Sequence, residues 1–218
     1  GKPFARPWVK RHVPAILVQW YPGEQGGYAL YDILFGKVNP SGKLNYSFPQ
    51  STGNMPCYYN HLPTDRGFYH QPGQPNRPGR DYVFETPGPL WAFGHGLSYT
   101  TFEYGNAIVS SNTLDDDDEI KLTIPVKNTG NMDGDEVVQV YLKYNADKEG
   151  PSHALRGFKR VNISKGETQN VEFTLEDDDF EWFDTQNNTM DTLEGEYTIY
   201  YGGTSDISKL KKLTVEVK

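Results

Sequence analysis

The chain has 218 residues, enough for one large domain or two small ones. Its formal net charge of −8 and pI of about 5.1 argue against nucleic acid or an anionic membrane as partner, because either needs a basic face. No apolar stretch approaches the ~18 residues of a membrane-spanning helix, and the lone Cys57 leaves no internal disulfide.

Residues 14–20 form a short apolar run without alternation, which suits a strand buried on both faces of a parallel sheet. A Pro/Gly turn follows, and then a helical pattern over 28–35 with Ala29, Leu30, Ile33 and Leu34 on one face and Gly36 as its stop. A parallel sheet needs several such units, and this chain holds one. The expectation is therefore that residues 1–50 are the C-terminal remnant of an α/β sandwich domain, with the groups that do the chemistry on another stretch of polypeptide. The turn at Asn39-Pro40-Ser41-Gly42 leads to Leu44, Tyr46 and Phe48 alternating with polar neighbours, the pattern of a short edge strand ended by Pro49. Residues 51–100 show no period. They carry too many Tyr, Phe and Trp for a flexible linker, which predicts an ordered Pro/Gly/Tyr-rich connection packed across domain surfaces.

From residue 101 to 218 the pattern is all-β. Inward-reading residues alternate at Ile120-Leu122-Ile124-Val126, at Val138-Val140-Leu142-Tyr144, at Val171-Phe173-Leu175, at Tyr197-Ile199-Tyr201 and at Leu213-Val215-Val217. With 102–109 and 155–161 this makes roughly seven strands, the signature of an immunoglobulin-like, fibronectin type III-like sandwich. Gly195-Glu196-Tyr197 falls where a tyrosine corner is expected. The fold class is thus mixed: a partial α/β sandwich remnant followed by an all-β sandwich.

Four stretches, in order and spanning nearly the whole chain, resemble the C-terminal part of glycoside hydrolase family 3 enzymes of the bacterial β-glucosidase type. The first is Val18-Gln19-Trp20-Tyr21-Pro22-Gly23-Glu24-Gln25-Gly26-Gly27 with Asp32-Ile33-Leu34-Phe35-Gly36. The second is Asn39-Pro40-Ser41-Gly42-Lys43-Leu44 with Phe48-Pro49. The third runs from Pro89-Leu90-Trp91-Ala92-Phe93-Gly94-His95-Gly96 through Leu97-Ser98-Tyr99-Thr100-Thr101-Phe102. The fourth joins Val126-Lys127-Asn128-Thr129-Gly130, Gly134-Asp135-Glu136-Val137-Val138-Gln139-Val140-Tyr141 and Leu155-Arg156-Gly157-Phe158-Lys159-Arg160-Val161. The resemblance implies a parent with a β/α barrel, an α/β sandwich and a fibronectin-like domain, with retention of configuration at the sugar. It places the nucleophilic Asp and the acid/base Glu upstream of residue 14. Retaining hydrolysis needs two carboxyls ~5–5.5 Å apart, so this chain alone is expected to be inactive. The implied partners are the N-terminal catalytic domains and an oligo- or aryl-β-glucoside, with no cofactor and a periplasmic or secreted setting. The competing reading is a non-enzymatic sandwich module that binds carbohydrate or protein.

Each candidate residue carries a plainer reading beside the functional one. Arg80 and Asp81 either rim a sugar site in the whole enzyme or tie a loop to a domain surface. Trp91, with Trp20, Tyr21 and Phe93, either stacks on sugar rings or packs between domains. Glu24 sits between strand end and helix start, as a functional group or as a helix-capping carboxylate. Gly23, Gly26 and Gly27 lack the spacing of a dinucleotide turn. The acidic runs 115–118 and 177–179 are solvated turns or weak calcium sites, and the five histidines have no metal-ligand spacing. Asn45, Asn162 and Asn187 begin glycosylation sequons of the kind that occur by chance. The first ~50 residues are expected to be mobile or to self-associate through the exposed strand edge, and those past about 100 to fold independently.

Overall fold

A computed structural model describes residues 2–62, 88–115 and 118–218. Two short helices, α1 (Pro7–His12) and α2 (Gly26–Leu34), precede eleven strands. These are β1 (Phe102–Tyr104), β2 (Ile108–Val109), β3 (Thr113–Leu114), β4 (Glu119–Asn128), β5 (Gly134–Tyr144), β6 (Ala154–Ile163), β7 (Thr168–Glu176), β8 (Glu181–Asp184), β9 (Thr189–Thr192), β10 (Gly195–Gly202) and β11 (Lys211–Val217).

One sheet is centred on β4, which pairs antiparallel with β7 along one edge and with β1 and β2 along the other. The second sheet has the order β3-β11-β10-β5-β6, antiparallel except for β3 beside β11. Strand alternation then dictates the core. Ile120, Leu122, Ile124 and Val126 on β4 meet Val138, Val140 and Leu142 on β5 and Tyr197, Ile199 and Tyr201 on β10, all buried. Burying each such side chain contributes roughly 1.5–3 kcal/mol, and that sum holds the two sheets together. The Tyr197 hydroxyl accepts the Leu193 amide at 3.2 Å, four residues upstream, which is the bond a tyrosine corner makes.

The structure refines the sequence expectation in four places. The expected strand over 102–109 is two strands, β1 and β2, that meet β4 at different registers. The β8–β9 hairpin and the two-residue β3 have too little apolar periodicity to be read from sequence. Residues 14–20 form no strand: Ile16, Leu17 and Val18 are exposed, and the helix behind them buries only Gly26. A strand exists only where neighbours take its hydrogen bonds, and nothing among the described residues offers them. The expected edge strand at 44–48 is reduced to one antiparallel bridge, Phe48 with Trp91.

Candidate functional site: a strap across the outer face of the second sheet

Alternation turns Gln139 and Tyr141 of β5 and Thr198 of β10 away from the core, where solvent is expected. All three are nonetheless buried. Two passes of the chain, 39–62 and 88–100, cover Gln139 and Tyr141, while Thr198 donates its hydroxyl to Asn145. The passes zip together through Leu44 and Phe48: Phe48 N donates to Trp91 O (2.8 Å), Leu90 N to Phe48 O (2.7 Å), Leu44 N to His95 O (2.8 Å) and Gly94 N to Leu44 O (2.7 Å).

Polar side chains then fasten this strap to the sandwich. The Lys43 ammonium lies 3.1 Å from the Glu136 carboxylate, both nearly buried, and also donates to Gly96 O. Tyr104 donates its hydroxyl to the second Glu136 oxygen at 2.8 Å. Burial and the Glu136 charge hold the Tyr104 phenol far above its ordinary range, so it stays a donor. The Asn39 amide donates to Asp133 O, and its oxygen accepts from Ser98 Oγ and Tyr99 N. Asn128 is fully enclosed and fully satisfied: its amide donates to Met132 O and Ile163 O, and its oxygen accepts from Thr100 Oγ1 and Gly130 N. Gln139 donates to Gly94 O and accepts from the Tyr141 hydroxyl. Gly94 is left-handed (φ 74°), and a Cβ there would stand 2.0 Å from Gln139 Oε1, so both conformation and space demand glycine.

Beside this frame lies a box of rings. Tyr59 stacks on Phe93 (4.7 Å between centroids) and meets Tyr141 and His153 edge-on at 5.8 and 5.4 Å. Its hydroxyl accepts the Leu155 amide at 3.1 Å. His153 is buried against Tyr141 and Tyr200, with Nδ1 3.0 Å from Ser152 Oγ. Burial, with smaller contributions from His61 and Lys143, pushes its pKa down to about 4 against an opposing contact to the Ser205 backbone. The imidazole is therefore neutral at physiological pH. His95, in the turn after Gly94, is also shifted down, by burial first and then by Lys209, Lys43 and Lys10, with Asp206 opposing.

Of the residues named from sequence, Trp91 lies in the second pass of the strap. Its ring stands edge-on to Phe48 at 5.7 Å, and the Lys10 ammonium of α1 sits 5.6 Å from its centroid. Trp20 reaches the same Phe48 at 6.0 Å. Arg80 and Asp81 fall outside the described residues. Glu24 makes no helix cap, since Gln25 holds that position without a side-chain bond. It lines instead an open depression of about 620 Å³ with Gly27, Tyr28, Tyr31, Asp32 and Lys37. Burial pushes the Cys57 thiol up to about 11, which makes it a poor nucleophile. Residues 177–179 open a single 3₁₀ turn that caps itself through Glu176 and Asp179, a structural use of acidic side chains. Among the described residues no three His, Cys, Asp or Glu stand together as metal ligands, and no helix is long and apolar enough to cross a membrane.

The fastening residues Lys43, Glu136 and Gln139 were not singled out by sequence reasoning. One signal exists for Glu136: it shares the inward phase of Val138, Val140 and Leu142, an unusual place for a carboxylate. Gln139 gives none, because its phase reads as solvent-facing until the strap is in place.

The fold and strap define a fibronectin-type sandwich welded to the end of a preceding unit, and comparison with known proteins gives the same division. Residues 1–99 match the glycosyl hydrolase family 3 C-terminal domain, and residues 136–205 match a fibronectin type III-like domain. The chain is 36% identical over its whole length to the periplasmic β-glucosidase of Salmonella typhimurium, spanning 28% of that protein. It is 39% identical over 92% of its length to a xylan 1,4-β-xylosidase of Xylanibacter ruminicola, spanning 21% of it. Among solved structures, a β-glucosidase of Erythrobacter marinus superposes on all of the chain with a TM-score of 0.85 at 36% identity, 27% of that protein being covered. A Listeria innocua β-glucosidase in complex with glucose superposes on 92% of it (TM-score 0.77, 33% identity, 27% of that protein). The chain belongs to glycoside hydrolase family 3 and corresponds to the C-terminal part of its members. It spans about a quarter of the length of the relatives it matches.

Proposed function

We propose that the chain serves as the non-catalytic C-terminal portion of a retaining β-glucosidase-like hydrolase. The whole enzyme would remove terminal β-linked glucosyl residues, with β-xylosides as the nearest variant substrate. The observation that carries this reading is the end-to-end likeness to β-glucosidases at about a quarter of their length. The exposed Ile16, Leu17 and Val18 support it, since they would be covered once upstream strands flank residues 14–20. Among the described residues Glu136 is the one buried carboxylate, and Lys43 and Tyr104 occupy both its oxygens. It is fixed in a structural role and has no second carboxyl beside it to share acid/base work. In this reading the sandwich braces the preceding domain, and Arg80, Asp81 and Trp91 stand as candidates for the rim of the sugar site. The likeness to a protein named periplasmic favours a periplasmic or secreted setting.

The purified chain is expected to leave p-nitrophenyl β-glucoside and β-xyloside intact. Joined behind the upstream portion of a family β-glucosidase, it is expected to support hydrolysis. Turnover by the isolated chain that a point change within it abolishes would overturn the proposal. So would a joined protein that folds and hydrolyses neither substrate.

A further inference from the structure

We propose that residues 56–62 form an acid-released clasp, docked on the second sheet only while His153 is uncharged. Several bonds between the clasp and the sandwich converge on one place. Tyr59 presents its ring to His153 and Tyr141 and its hydroxyl to the Leu155 amide. Ser152 returns its amide to His61 O at 3.3 Å and its hydroxyl to Tyr59 O at 3.4 Å, while the same hydroxyl meets His153 Nδ1. The imidazole is thus the floor on which the clasp rests.

Among the described residues, a proton on that floor meets no counter-charge. The titratable and charged groups that the described residues turn toward His153 are Tyr59 and His61 from the clasp, Tyr141 and Lys143 from β5, and Tyr200 from β10. None of these is a carboxylate, and Lys143 and His61 both oppose a positive charge there. Tyr141 and Tyr200 are themselves held protonated by burial and supply no anion. Undocking the clasp admits water to the ring and removes the penalty. The sandwich core lies on the other face of the sheet and is not opened by this movement. The consequence reaches further along the strap, because Tyr59 stacks on Phe93, two residues from Trp91. Acid would therefore loosen the pass that carries Trp91.

The sign follows from the depressed imidazole: docking is at full strength above pH 6.5 and weakens as pH falls toward about 4. Between pH 7 and pH 4.5 the docking equilibrium should drop roughly 60-fold. Peptide-level hydrogen exchange on the full chain, corrected for intrinsic rates, is expected to show that loss in 56–62 while β4 and β10 stay protected. In His153→Phe the clasp should remain protected at both pH values. Equal loss across clasp and core, an unchanged clasp at pH 4.5, or an undiminished pH effect in His153→Phe would each overturn the proposal. If that variant does not fold, the wild-type ring decides by NMR. Its protonation midpoint must coincide with loss of clasp protection, and a ring that titrates while the clasp stays protected refutes the idea.

Discussion

Glu136 shows how a single residue can carry the join between two parts of this chain. Its carboxylate bonds Lys43 from the strap and Tyr104 from β1, with little solvent to compensate if either is lost. Removing one member of a buried pair leaves the other charge uncompensated, typically at 3–5 kcal/mol. Glu136→Leu is therefore expected to lower stability by about 3 kcal/mol in denaturant titration, and Lys43→Met by a similar amount. The double variant should cost clearly less than the sum, because it removes both charges together; strict additivity would mean that the pair is not coupled in solution. Asn128 makes the same point without charge. All four of its hydrogen bonds go to backbone or to Thr100, so Asn128→Ala strands several buried partners at once. A loss of about 3 kcal/mol is expected, read as a fall in Tm of several degrees.

At the scale of elements, the strap behaves as part of the sandwich although it precedes β1 in sequence. The second and third stretches of family resemblance, 39–49 and 89–102, meet the first part of the fourth, 126–141: Asn39 reaches the Asp133 carbonyl, Lys43 Glu136, Thr100 Asn128, and the Gly94 carbonyl Gln139. Gly134 belongs to the same junction, since a Cβ there would lie 2.7 Å from the Asn39 amide nitrogen. Gly94→Ala tests the junction directly. It forces a left-handed residue to carry a Cβ and pushes on Gln139, so hydrogen exchange in 88–96 should quicken at least tenfold while β4, whose contacts are untouched, keeps its protection. An unchanged 88–96 would show that the strap is held elsewhere.

Across the whole molecule, order is distributed unevenly. The sandwich has a closed apolar core, whereas α1 buries nothing and α2 only Gly26. Hydrogen exchange on the isolated chain is expected to be fast through 14–36 and slowest in β4, β5 and β10. Strong protection of 14–36 in a monomer would contradict this. A helix as apolar as α2, with Tyr28, Tyr31 and Leu34 all exposed, is of the type that large proteins enclose on every side. Covering it by an upstream domain is expected to raise its protection, which ties this measurement to the proposed role as the end of a larger enzyme.

The long sandwich strands β4, β5, β6, β7, β10 and β11, the inward residues of the core, the tyrosine corner and α2 with its Gly36 stop were legible in the amino-acid sequence. They rest on local periodicity and turn chemistry, which neighbours along the chain are enough to specify. The family resemblance was legible too, through the order of its four stretches. The strap, the clasp over His153 and the Lys43–Glu136–Tyr104 bond were decided by tertiary structure alone. Each depends on residues tens of positions apart, and the alternation that marks Gln139 and Tyr141 as solvent-facing is blind to what lies over them. The same reason explains residues 14–20: an apolar run specifies a tendency to pair, and a strand appears only where a neighbour is there to receive its hydrogen bonds.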